Sequence, residues 1–145
     1  RMYAAVWIAT DLPDVDVFVR ITDVYPDGRS MLMAQGIQRA RYRNGTCPEF
    51  LVPNEPARIR VDLWSTALVV GAGHKLRVIV SASADPLYSV NPQNGDEYKG
   101  SHPNRPGSIK VLVGGDHESA LVLPVPTGQD APPDHRPNTQ ICPSN

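Results

Sequence analysis

The chain has 145 residues, with 14 Lys and Arg against 15 Asp and Glu. That is the length of one domain, with neither a basic face for nucleic acid nor an acidic tail. The longest apolar run, residues 67–72, is far too short for a membrane-spanning helix, and 41% hydrophobic content supplies one core and excludes wholesale disorder. Sixteen Val against ten Leu, with 15 Pro, is a strand-forming composition, because Val packs well on a pleated surface and loses rotamer freedom in a helix.

Taken in chain order, Tyr3 to Ala9 reads as a strand apolar on both faces. Asp11-Leu12-Pro13-Asp14 breaks it with turn chemistry. Val15, Val17, Val19 and Ile21 then face one way and Asp16, Arg20 and Thr22 the other, the pattern of a half-buried strand. Tyr25-Pro26-Asp27-Gly28 is a tight turn in which Pro presets φ and Gly supplies a positive one. Return strands are expected over Ser30–Ala34 and Ile37–Tyr42. After a loop with Pro48, Pro53 and Pro56, residues Ala57, Ile59, Val61 and Leu63 alternate with Arg58, Arg60 and Asp62.

A short apolar strand is expected over Thr66–Val70, ended by Gly71-Ala72-Gly73, and another over Leu76–Val80. Asp85 to Gly107 is a long polar stretch of the kind that is functional, disordered or packed as an excursion. Ile109–Val113 and Leu121–Val125 form a closing hairpin around Gly114-Gly115-Asp116. The expected organisation is a domain over residues 1–126 and an extended Pro-rich tail over 127–145. Eight or nine strands and no convincing helix predict an all-β fold. Two antiparallel sheets close most naturally as a jelly-roll β-sandwich. An immunoglobulin-like sandwich, the nearest rival, lacks its Cys–Trp–Cys spacing.

No catalytic constellation is legible. There is no Gly-x-Ser-x-Gly elbow, and the histidines at 74, 102, 117 and 135 fall in turns or loops. His117-Glu118 begins like a zinc-protease helix, but position 121 is Leu and the context is a hairpin. Asp11, Asp14 and Asp16 are a weak Ca²⁺ candidate; the plainer reading is that they start a turn and solvate a strand end. Arg39, Arg41 and Arg43 read as a solvated or interface-facing stripe, with Arg58 and Arg60 alongside. Trp7 and Trp64 read as core or domain-interface side chains before sugar-stacking platforms, and Phe18 joins them as an interface candidate. Cys47 and Cys142 read as two free thiols, although a folded-back tail would let them pair. Asn44-Gly45-Thr46 fits a glycosylation sequon. No signal peptide is visible, the start on Arg1 reads as a cut piece, and the compartment, cytoplasmic or secreted, stays open.

Several runs, taken in order, resemble one family. They are residues 7–16 (Trp-Ile-Ala-Thr-Asp-Leu-Pro-Asp-Val-Asp), 23–30 (Asp-Val-Tyr-Pro-Asp-Gly-Arg-Ser), 36–43 (Gly-Ile-Gln-Arg-Ala-Arg-Tyr-Arg), 61–67 (Val-Asp-Leu-Trp-Ser-Thr-Ala), 71–77 (Gly-Ala-Gly-His-Lys-Leu-Arg) and 91–95 (Asn-Pro-Gln-Asn-Gly). Together they resemble the C-terminal, non-catalytic domain of X-Pro dipeptidyl-peptidase and cocaine-esterase-like serine hydrolases, over residues 3–125. The resemblance implies a jelly-roll sandwich of galactose-binding-domain-like kind, with no catalytic residue, metal or cofactor of its own. Its partner would be the α/β-hydrolase catalytic domain of the same parent protein, with a homo-oligomer contact as a further option and neither nucleic acid nor membrane involved. Asp23, Pro26, Asp27, Gly28, Arg29, Gly73 and His74 stand as its structural signature. Arg29 is expected to pair with Asp23 or Asp27, and His74 to be a hydrogen-bonded structural residue. Lys75 stands where the family usually has Arg, which can make planar bidentate contacts that Lys cannot.

Overall fold

The computed structural model describes residues 1–97 and 102–125. The expected tail over 127–145 lies outside them. The fold is a β-sandwich of two antiparallel sheets with eight strands among the described residues: β1 (Tyr3–Thr10), β2 (Asp16–Val24), β3 (Ser30–Arg39), β4 (Ala57–Asp62), β5 (Lys75–Ser81), β6 (Ile109–Gly114), β7 (His117–Glu118) and β8 (Ala120–Val122). One sheet runs β4-β1-β6-β7, with β8 also paired to β1; the other runs β3-β2-β5.

The alternation read from the sequence decides which side chains meet between the sheets. Ala4, Val6 and Ile8 of β1, Val17, Val19 and Ile21 of β2, and Ile59 and Val61 of β4 are buried together with Leu12, Val15 and Leu63. Burying one such side chain contributes roughly 1.5–3 kcal/mol. The sheets meet most closely where β3 crosses β4. A Cβ at Gly36 would collide with the carbonyl oxygen of Asp62, so glycine is what lets the two backbones approach there.

Four expectations are corrected. The two strands expected over 30–42 are one, β3, because Gly36 pairs with Val19 inside the ladder and does not end it. The register shifts once, between Ile21 and Thr22. Residues 40–42 form a single 3-10 turn, the one helical element among the described residues. Residues 66–70 are not a strand: Trp64 adopts φ +63, which carries the chain away from the sheet, and the segment runs exposed with no strand partner among the described residues. The closing hairpin pairs β6 with β7 (Gly114 with His117), and the strand beyond it, β8, runs Ala120–Val122 and joins β1 instead. Ser119 makes that switch, its hydroxyl accepting the Trp7 amide at 2.9 Å and donating to the Leu112 carbonyl at 2.6 Å.

The outer face of β2 is also less wet than its alternation implies. Asp16 is buried against Asn91 and Phe18 lies beneath Tyr88, because the long stretch after residue 84 folds back over the strand, while Thr22 is buried with its hydroxyl accepting that of Ser30. Of the three fates open to that stretch, its described residues take the packed excursion.

Candidate functional site

Two clusters hold the residues that the sequence singled out. The first is built on the hairpin between β2 and β3. The Gly28 amide donates to the Tyr25 carbonyl at 2.9 Å, the Tyr25 amide to the Arg29 carbonyl at 2.8 Å, and Gly28 takes φ +90, as a tight turn requires. Arg29 chooses Asp27, with Nε 2.7 Å from Oδ2, and its guanidinium lies over the Tyr25 ring. Asp23 is left for His74, whose Nδ1 donates to both carboxylate oxygens at 2.9 Å. The imidazole also packs on Tyr25, with ring centroids 4.3 Å apart. Gly73, at φ +81, leaves room for Pro26 beside it, and the His74 amide bonds the Gly71 carbonyl. The motif at 23–30 and the motif at 71–77 are thus two sides of one knot. An aspartate–histidine pair is also half of a hydrolytic triad, but here Nε2, which would have to face a nucleophile, faces Gly71. The geometry is that of a clamp between β2 and the start of β5.

The second cluster is a buried charge network. Asp14 is fully buried; its Oδ2 accepts Arg41 Nε at 2.8 Å and its Oδ1 accepts the Arg41 amide at 2.9 Å. Asp16 takes Arg39, with Nε 3.0 Å from Oδ1, and this hydrogen bond holds the Arg39 pKa above its ordinary value. Asn91 closes the ring, its Nδ2 donating to both Asp14 and Asp16 at 2.9 Å. The guanidinium groups then reach on to the carbonyls of Asp96 and Glu97. Asn94, Asp96 and His102 continue the chain of contacts outward. Asp11 stands apart, with Oδ1 accepting the Ser108 amide at 2.9 Å, which lowers its pKa.

The turn reading holds for Asp11, which lies in the bend after β1, and is corrected for Asp14 and Asp16. The three aspartates do not converge on a cation site, since guanidinium groups hold two of them and a backbone amide the third. Among the described residues no His, Cys, Asp or Glu cluster is placed to hold a metal ion. Asp14 and Asp16 do not solvate a strand end, since both lie inside the molecule. The arginine stripe is corrected with them: Arg39 and Arg41 are the counter-ions, and Arg43 pairs with Glu49. The members of this network all lie in the resembling runs, Asp14 and Asp16 in 7–16, Arg39 and Arg41 in 36–43 and Asn91 in 91–95, but the sequence did not show that they meet.

Trp7 is half-buried with its ring edge-to-face on His117, Phe18 is buried, and Trp64 stands 66% exposed with Arg1 over its ring. Cys47 is disulfide-bonded, which corrects the reading of two free thiols; Cys142, the other cysteine of the chain, lies outside the described residues. A separation of that length along the chain says nothing about distance in space.

The family model for the X-Pro dipeptidyl-peptidase C-terminal non-catalytic domain matches residues 1–122. The chain belongs to this family. It is also similar to cocaine esterase of Rhodococcus sp. (strain MB1 Bresler), 29% identical over 125 residues that make up 84% of this chain and 22% of that protein. Two solved structures share the fold at a TM-score of 0.77 each. One is an aminopeptidase from a marine sediment archaeon, Thaumarchaeota archaeon, at 27% identity, and the other an α-amino acid ester hydrolase at 25%. Each match covers 83% of this chain and 22% of the other. The chain thus spans about a fifth of the length of the hydrolases it matches, and its own domain is the non-catalytic one. No helix among the described residues is long and apolar enough to cross a membrane.

Proposed function

We propose that this domain works as an accessory unit of a larger serine hydrolase. It packs against an α/β-hydrolase catalytic domain of the same parent protein and shapes the substrate entrance or an oligomer contact. The parent reaction is hydrolysis of an ester, an amide or an X-Pro peptide through an acyl-enzyme. The observation that carries the reading is the loop after Trp64. The left-handed turn at Trp64 throws its ring outward, and Leu68, Val69 and Val70 follow it into solvent, with Val69 94% exposed. A contiguous apolar loop of this kind marks an interaction surface. Phe18, buried beneath Tyr88, and Trp7, half-buried against His117, are not part of this loop.

The alternative of a stand-alone carbohydrate module with calcium support finds its three aspartates already engaged and is not favoured. Hydroxyl-radical footprinting tests the reading. Trp64 and Leu68 label strongly in the 145-residue chain and lose that labelling in the longer hydrolase. Equal labelling in both would place the catalytic domain elsewhere.

A further inference from the structure

We infer that β5, an edge among the described residues, is completed by one further strand of the parent polypeptide from outside this chain, apolar toward the core and acidic toward solvent. This rests on the hydrolase reading above and names what that longer chain supplies.

The two sides of the sandwich are unequal. On the β3–β4 side the sheets close backbone to backbone at Gly36 and Asp62. On the other side, among the described residues, β5 is an edge whose seven residues are all exposed. Register shows that this is not an ordinary wet face. Val80 and Val78 pair with Val19 and Ile21, both fully buried, so they point into the sandwich; yet they are 36% and 45% exposed. Across from them Val111 pairs with the buried Ile8, so Val111 and, two residues on, Val113 also face inward, and they are 39% and 78% exposed. Between the two rows opens a cleft of about 220 Å³ lined by Ile8, Val17, Val80, Ala82, Ile109 and Val111 together with Asp16 and Ser81. Two inward-facing apolar rows left uncovered opposite one another mark a layer that lacks a strand.

The occupant's chemistry follows from the two faces of β5. Inward it must be apolar, to cover Val78, Val80 and Val111. Outward β5 carries Lys75 and Arg77, next to Arg20, while the acids on this sheet, Asp16 and Asp23, are held by Arg39 and His74. Carboxylates on the added strand, opposite Lys75 and Arg77, are the complementary set. Of the devices that blunt a free edge, β5 has the charges of Lys75 and Arg77 but neither a proline nor a bulge, its register with β2 being unbroken. A strand from the same polypeptide is favoured over a second copy for two reasons. The relatives carry about four-fifths of their length outside the matched region, and covalent linkage raises the local concentration of such a strand. A second copy would set one basic β5 edge against another.

Hydrogen exchange on the 145-residue chain and on the longer hydrolase tests this. Alternate amides of β5 exchange at least about tenfold more slowly in the longer chain. Val78→Lys leaves the 145-residue chain's urea midpoint unchanged, since its side chain is already half in water, and abolishes that protection in the longer chain. Unprotected β5 in an active longer hydrolase would overturn the inference while leaving the accessory role intact. Protection that appears already in the 145-residue chain would overturn it, in favour of a second copy where it depends on concentration and of this chain's own remaining residues where it does not. If no longer hydrolase exists, the accessory reading falls first and this inference with it.

Discussion

The guanidinium of Arg41 lies on the carboxylate of Asp14, Nε to Oδ2 at 2.8 Å, with both side chains shut away from water. The same arginine donates its backbone amide to Asp14 and its Nη2 to the Asp96 carbonyl. One residue therefore ties the turn before β2, the end of β3 and the excursion after residue 84 into a single unit. Nothing in the composition foretold that an aspartate in a turn-like run would be the most deeply buried charge among the described residues.

Removing one partner of such a pair leaves the other buried and uncompensated. Arg41→Ala is expected to destabilise the fold by about 3–5 kcal/mol, read as a fall in the urea midpoint. Arg41→Lys keeps the charge but not the fork, and should fall between the two. A loss below about 1 kcal/mol for Arg41→Ala would mean that the pair behaves as a surface contact.

Because guanidinium groups occupy Asp14 and Asp16, and the Ser108 amide engages Asp11, adding Ca²⁺ should produce no heat in calorimetric titration and no rise in Tm. A saturable Ca²⁺-dependent rise would show that the arginines yield to a cation.

Asp11 has a folded pKa below its ordinary value, chiefly through the Ser108 amide. Its contribution to stability is therefore complete above the ordinary carboxylate pKa of about 3.9 and is lost as pH falls through the lowered value. Asp11→Ala should be less stable than the parent chain at neutral pH, and the gap should close in acid. A gap that persists unchanged at low pH would assign the effect to something other than the ionised carboxylate.

Gly36 and Gly114 make a controlled pair. A Cβ at Gly36 meets the Asp62 carbonyl, whereas one at Gly114 meets nothing. Gly36→Ala is expected to cost about 1–3 kcal/mol by overpacking, and Gly114→Ala to be neutral or to stabilise by up to about 1 kcal/mol through the unfolded chain. Thermal unfolding of the two variants side by side distinguishes them.

Much of the fold was legible because period-two alternation reports burial directly. Val17, Val19 and Ile21 face the core as their spacing says, and so do Ile59 and Val61. Residues 66–70 misled because an apolar run carries no information about whether a neighbouring strand exists to receive it. The Asp23–His74 clamp was legible only in outline. The two motifs could be read as structural, but which acid Arg29 would take and which His74 would take is a matter of tertiary distance. The network of Asp14, Arg41 and Asn91 was hidden for the same reason. Each residue had an innocent local reading as turn, stripe or loop, and only the folded chain brings positions 14, 41 and 91 within hydrogen-bonding distance. Cys47 belongs with them, since its bonding to sulfur is set by the fold.

The central claim is that this chain is the accessory part of a longer hydrolase, and the intact mass of the native gene product tests it most directly. The account predicts a product far heavier than the 15.8 kDa of this chain, with ester- or peptide-hydrolysing activity lost when a serine outside these 145 residues is replaced. A native product of 15.8 kDa that hydrolyses an ester through one of its own serines would contradict it.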